Sequence, residues 1–180
     1  SRQEMDPAFH DELKANREII KLVNKFSKKL NVAVCISSSL PIVKRLVKVK
    51  AKIYWWNPML DDPEKKNSLS RKLYFKNYLP LINAGGNVGA AAWMIADSVL
   101  CSKKIGLIGM DFSYYSNTPY EKTQYYDALI TIAKKKDLHL FYKKIYNPIL
   151  KRYFFTDHAY LWYRDCFFEM LKLASSKTIN

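Results

Sequence analysis

Asn83 to Ser113 reads NAGGNVGAAAWMIADSVLCSKKIGLIGMDFS, and the fold expected of the whole chain follows from how this stretch is parsed. Gly85, Gly86 and Gly89 leave backbone amides unshielded, and the alanine- and aliphatic-rich run from Asn87 to Leu100 predicts a helix packed on a sheet. Lys103 and Lys104 close a turn. The run Ile105, Gly106, Leu107, Ile108, Gly109 has the continuous apolar character of a parallel strand covered on both faces, and it delivers Asp111 beyond its carboxyl end. In open α/β sheets that edge is where ligands bind. The expectation is a single Rossmann-like α/β domain, mainly parallel, with helices on both faces.

The glycine turn admits two readings. Amides at a helix start lack intrahelical partners and lie at the positive end of the macrodipole, so Gly85, Gly86, Asn87 and Gly89 are candidates to hold a phosphate or carboxylate. Alternatively the glycines only allow close helix packing. Against G-x-G-x-x-G, residues 84–89 read A-G-G-N-V-G, with Ala84 in place of the first glycine. Asp111 stands about 20 residues further on, where a ribose-binding acid is expected. We take the phosphate reading as the expectation, with Asp111 as the candidate catalytic and metal-binding group.

The pairing of GGNVG with IGMDFSY across one helix resembles the Rossmann-like family of archaeal 6-hydroxymethyl-7,8-dihydropterin pyrophosphokinases, to which bacterial motility accessory factors are also similar. Residues Gly85 to Gly89 match the glycine turn, and Ile108, Gly109, Asp111 and Tyr114 match the strand-end motif. A third match is D-x-x-Y-x-x-Y-R at Asp157, Tyr160, Tyr163 and Arg164. The resemblance runs from about residue 30 to the end. The family's earlier G-P-S-L turn has no counterpart, Ser37 to Leu40 being the nearest string, so the chain resembles a reduced or truncated member.

The resemblance implies a transferase passing a diphosphoryl group from ATP to a hydroxymethylpterin with Mg2+. As the runner-up among enzymes it implies a sugar-nucleotide-dependent glycosyltransferase of the flagellin-modifying type. A non-catalytic nucleotide or nucleic-acid binding module is the alternative outside enzymes. In the enzyme readings Asp111 meets magnesium or a ribose hydroxyl, Tyr114 and Asn117 contact the acceptor, and Arg164 faces the site.

Composition sets outer bounds. The 180 residues suit one domain, with 49% hydrophobic and 26% charged residues, as in soluble globular proteins. No apolar run is long enough for a membrane span, and the chain opens on no signal-peptide pattern, so a cytoplasmic location is expected. Cys35, Cys101 and Cys166 form no C-x-x-C, and His10, His139 and His158 are scattered. Any metal should therefore be a hard cation on carboxylate and phosphate oxygens.

The net charge of +14 predicts anionic partners: nucleotides, nucleic acid or acidic membrane surfaces. Lys143, Lys144, Lys151 and Arg152 interleave with Tyr142, Tyr146, Tyr153, Phe154 and Phe155, a mixture that could stack bases and track phosphates. Without a recognised binding-module signature, the plainer expectation is a solvated basic surface over an aromatic core.

The remaining elements follow in order. Asp6 and Pro7 predict a helix start, and Leu13, Ile20, Val23 and Phe26 an amphipathic helix within residues 1–30. It would dock on its own sheet or on a second copy, which leaves a homodimer open. Strands are expected at Asn31 to Ile36, Ala51 to Trp56 and Leu138 to Tyr142. Helices are expected at Ile42 to Val47, Asn67 to Tyr78, Glu121 to Lys136, and from Asp157 or His158 to Ser175. Asp61 and Asp62 fall in a plain surface loop.

Overall fold

The computed structural model describes residues 17, 18, 20–26 and 29–179. The expected helix start at Asp6 and Pro7 and most of the residue 1–30 helix lie outside them; residues 20–26 are helical. The chain divides into two units, at Asn83 and Ala84.

The first unit is built on β1 (Asn31–Cys35), α1 (Leu40–Lys48) and β2 (Lys52–Pro58). Val32, Val34 and Cys35 give β1 its apolar run, and it pairs in parallel with β2 from Asn31↔Lys52 to Cys35↔Trp56. A parallel pair needs a crossover. Helix α1 supplies it, with Pro41 in its first turn, where a missing N–H costs nothing, and Arg45 and Lys48 in its last. Val23, Val34 and Leu46 form the buried centre, and Trp55 packs against them.

β3 (Leu81–Ile82) adds a short third strand beside Asn57 and Pro58. Between them α2 (Leu69–Asn77) starts at Ser68, whose hydroxyl accepts from the Arg71 amide. The expected plain loop has a built function in the fold. Asp61 accepts from the Leu69 and Ser70 amides at the α2 start and from the Ser68 hydroxyl. Asn57, fully buried, exchanges amide hydrogen bonds with Asn77.

In the second unit α3 (Val88–Met94) runs into a wider π turn over Ile95–Val99, and together, between caps at Asn87 and Leu100, they fill the span of the expected helix. Buried Asp97 accepts from the amides of Ser175 and Ser176, fastening this segment to the C-terminal stretch. Among the described residues β4 (Lys104–Gly106) pairs in parallel with β8 (Lys177–Ile179) alone. β5 (Tyr114–Tyr115), β6 (Tyr142–Asn147) and β7 (Arg152–Asp157) make an antiparallel sheet in the order β5-β7-β6. Helices α4 (Tyr126–Ile132) and α5 (His158–Lys172) complete the unit. Its core joins Ala90 and Trp93 of α3 to Phe167 and Met170 of α5.

The single mainly parallel Rossmann-like sheet is therefore not what forms. Among the described residues there are three small sheets, one of them antiparallel. The expected strand Ile105 to Gly109 stops at Gly106, because only Ile105 and Leu107 reach the core while Ile108 is 98% exposed. A covered parallel strand needs apolar cover on both faces; here Ile105 and Leu107 face the core while Gly106 and Ile108, on the other face, are exposed. The expected strand Leu138 to Tyr142 is mostly a 3-10 turn, Lys135–Phe141, and the strand begins at Tyr142 instead. The expected helix Glu121 to Lys136 contracts to α4. Predicted helix α5 forms, with Asp157 at its cap.

Candidate functional site

A cavity of about 440 Å³ opens in the second unit, within the size range of small-molecule sites. Three chain segments and two tyrosines of α5 meet around it: residues 86–89, residues 109–113, Gln124 with Tyr125, and Tyr160 with Tyr163.

The glycine turn divides by role. Gly85 and Gly86 have φ of +52° and +81°, a region that L side chains rarely adopt. A methyl on Gly86 would lie 2.5 Å from ring carbons of both Trp162 and Tyr163; on Gly85 it would meet Met170 Sδ at 2.9 Å. These two glycines let the turn press on α5. Asn87 caps α3, its Oδ1 accepting from the Ala90 amide at 2.9 Å and its Nδ2 donating to the Gly85 carbonyl. Val88 and Gly89 follow in the first helical turn, where amides have no acceptor within the helix. Their N–H groups are the donors the turn can offer a ligand.

Asp111 sits between two left-handed backbone positions, Gly109 at φ +75° and Phe112 at +49°. Its carboxylate is exposed and has no hydrogen-bond or ion-pair partner among the described residues. The loop is pinned beside it by Thr156, whose hydroxyl donates to the Phe112 carbonyl at 2.8 Å.

The opposite wall is a hydrogen-bonded tyrosine cluster. The Tyr125 and Tyr163 hydroxyls lie 2.7 Å apart, and Tyr160 donates to Gln124 Oε1 at 2.6 Å. Tyr160 stacks on Tyr114 with centroids 5.0 Å apart. Tyr114 in turn donates to Asp157 Oδ2 at 3.0 Å and accepts from the Gln124 amide. Asp157, buried, uses its other oxygen to cap α5 through the Tyr160 amide at 2.8 Å.

Burial pushes the Tyr114, Tyr125 and Tyr160 hydroxyls above the ordinary tyrosine value, with the Asp157 charge adding to the shift. At neutral pH they are protonated, and act as hydrogen-bond donors and acceptors and as ring surfaces. Asp111 is the one carboxylate among the lining residues.

Of the residues expected at the site, Gly86, Asn87, Gly89 and Asp111 line the cavity. Gly85 packs on Met170 instead, and Tyr114 stands one layer behind the wall. Asn117 lies in an exposed turn. Arg164 pairs with its neighbour Asp165 at 2.8 Å and covers the Phe168 ring, so its guanidinium does not face the cavity. Tyr160 and Tyr163, which the helical spacing assigns to the buried stripe of the last helix, line the cavity instead; their three-residue step places them on one helix face. Gln124 and Tyr125 carried no such signal.

No group of three or more His, Cys, Asp or Glu suited to a metal occurs among the described residues. One carboxylate fits magnesium only where phosphate oxygens and water complete the shell, as is usual for that ion. No described helix is long and apolar enough to cross a membrane. No family model matches the chain, nor does any curated protein or solved structure.

Proposed function

We propose that the cavity binds a nucleotide and that the chain is a nucleotide-dependent transferase. One observation carries this reading: the three motifs picked out in the sequence, spread from residue 84 to residue 164, contribute to the wall of a single cavity. Phosphates would lie against the Val88 and Gly89 amides, where the α3 macrodipole favours negative charge. Tyr160 and Tyr163 offer ring surface and hydroxyls to a base or acceptor ring. Asp111 would hold a magnesium ion, whose charge would offset that of the phosphate oxygens.

Transfer of phosphoryl-type groups asks a protein chiefly for positioning and charge neutralisation. The transferred group would be the diphosphoryl of ATP, moving to a pterin hydroxymethyl with release of AMP, or the sugar of a sugar nucleotide. A second reading, a nucleotide-binding module without turnover, draws support from the wall itself. Its tyrosine hydroxyls are held protonated, which leaves Asp111 as the sole lining carboxylate to serve as a base.

Calorimetric titration with ATP, GTP and a sugar nucleotide, with and without magnesium, tests the site. Binding should require magnesium and be lost in Asp111→Asn, with the melting temperature unchanged because the carboxylate has no protein partner. Absence of binding by the parent chain, or equal binding by the variant, would refute the site. AMP release in the presence of a hydroxymethylpterin separates transferase from module.

A further inference from the structure

The basic, aromatic run of the sequence folds as the β6–β7 hairpin. β5 covers only Phe154 and Phe155 of it, so the outer part, Tyr146 and Asn147 against Arg152 and Tyr153, is a two-stranded ribbon. The connecting turn, residues 148–151, is ordered: Asn147 Oδ1 accepts from the Ile149 and Leu150 amides, both at 2.9 Å. Turns favour Gly, Pro, Asn, Asp and Ser. Asn147 and Pro148 supply that chemistry here, and beyond them the turn holds out Ile149, 88% exposed, and Leu150, 54% exposed.

Behind the tip stand the half-exposed rings of Tyr146 and Tyr153. Exposed Lys143, Lys144, Lys151 and Arg152 surround them, and residues 142–156 include no Asp or Glu. Val88, which lines the cavity, and Ile108 are exposed apolar residues too, but neither has a Lys or Arg within three residues in the chain. Exposed Leu69, Phe75 and Tyr78 stand beside Lys72 and Lys76 on helix α2, but among the described residues only the hairpin sets its aliphatic pair at the tip of a two-stranded ribbon with the aromatic pair and cations behind it.

We propose that the β6–β7 hairpin docks the protein on an anionic bilayer surface. Ile149 and Leu150 enter the boundary between headgroups and acyl chains, and the tyrosines lie at headgroup level. The lysines and Arg152 reach lipid phosphates and carboxylates on flexible stems. A single-stranded nucleic acid fits the surface less well. Base stacking needs open ring faces, whereas Tyr153 carries the Lys144 ammonium 4.1 Å from its centroid and leans on Tyr146 at 5.1 Å. Nor does stacking give aliphatic tip residues a role.

Co-sedimentation of the full chain with phosphatidylcholine vesicles, with and without phosphatidylserine, tests the proposal. The parent should sediment only with phosphatidylserine. Ile149→Ser with Leu150→Ser, at exposed positions that leave the fold intact by circular dichroism, should weaken binding roughly tenfold or more, as lost burial of two aliphatic side chains demands. Lys143→Glu with Lys151→Glu should weaken it by at least roughly fivefold per site. Failure to sediment with phosphatidylserine, or undiminished binding by the tip variant, would overturn the proposal. So would tight binding of a labelled single-stranded oligonucleotide, unchanged by the tip substitutions, where vesicles are not bound.

Discussion

Alanine at Gly86 and alanine at Gly89 should behave differently, although both glycines line one cavity. At Gly86 the backbone is left-handed, which costs an L side chain about 1–2 kcal/mol. Its methyl would also stand 2.5 Å from the Tyr163 and Trp162 rings, and displacing packed rings costs a further ~1–3 kcal/mol. The sum, about 2–5 kcal/mol, is a large part of a typical domain's stability of ~5–15 kcal/mol. At Gly89 the backbone is helical, and the nearest atom is Met110 Sδ at 3.0 Å, the middle of a flexible side chain. The alanine methyl would also stand 3.2 Å from the capping Asn87 Oδ1, a cost offset by the helix propensity alanine gains over glycine, which is roughly 1 kcal/mol in a helix interior and less in this first turn. Gly89→Ala should therefore stay within about 1 kcal/mol of the parent while setting a methyl at the cavity. Urea unfolding of both variants, followed by titration with magnesium and ATP, measures the contrast. Parent-like stability of Gly86→Ala would refute the packing role of that glycine. Unaltered nucleotide binding by a stable Gly89→Ala would refute the placement of phosphates against its amide.

Asp157→Ala removes the α5 cap, worth ~0.5–2 kcal/mol, and strips the Tyr114 hydroxyl of its acceptor, worth ~1–3 kcal/mol. Urea unfolding should show a loss of about 2–4 kcal/mol, partly restored in Asp157→Asn. The Ser68 hydroxyl and the Leu69 and Ser70 amides hold the Asp61 carboxyl well below the usual carboxylate range. Its folded pKa being depressed, the stabilisation is present above the unfolded value of about 3.9 and is lost as the pH falls from there through the folded value. Thermal melts across pH should find Asp61→Asn less stable than the parent at neutral pH, with the gap closing in acid; a gap independent of pH would refute the assignment.

The elements legible in the sequence are those whose signals are local. The strand over Val32 to Cys35 forms where its apolar run predicts, although only Val34 is buried and Ala33 is exposed, and Asp157 announced α5 because a cap and a three- and four-residue apolar step suffice. β4 misled because an apolar run records the wish for burial and not the number of strands available to provide it. Among the described residues only β8 pairs with it, and Ile108 is left in solvent. In the hairpin burial does not alternate but grades along β7, from exposed Arg152 and Tyr153 to Phe155, Thr156 and Asp157 buried in succession, and no residue pattern announces such a gradient. At the cavity, motif spacing identified the glycine turn and Asp111. Gln124 and Tyr125 arrive there through tertiary contact, for which no residue pattern is a sign.

The loss of a broad sheet changes what can hold a site in register. A strand with one neighbour cannot fix the Asp111 loop by its edge, and here the fixing falls to the end of β7. Thr156 and Asp157, adjacent and buried, reach in two directions: Thr156 to the Phe112 carbonyl beside Asp111, and Asp157 to both the start of α5 and the Tyr114 hydroxyl. Tyr114 then fixes the Gln124 amide, and Gln124 receives Tyr160. Both walls of the cavity are thus referred to two consecutive residues, and the glycine turn closes against α5 through Gly86. Polar groups buried at a strand end persist only where fully bonded. Thr156 and Asp157 meet that condition by joining the very segments that line the cavity.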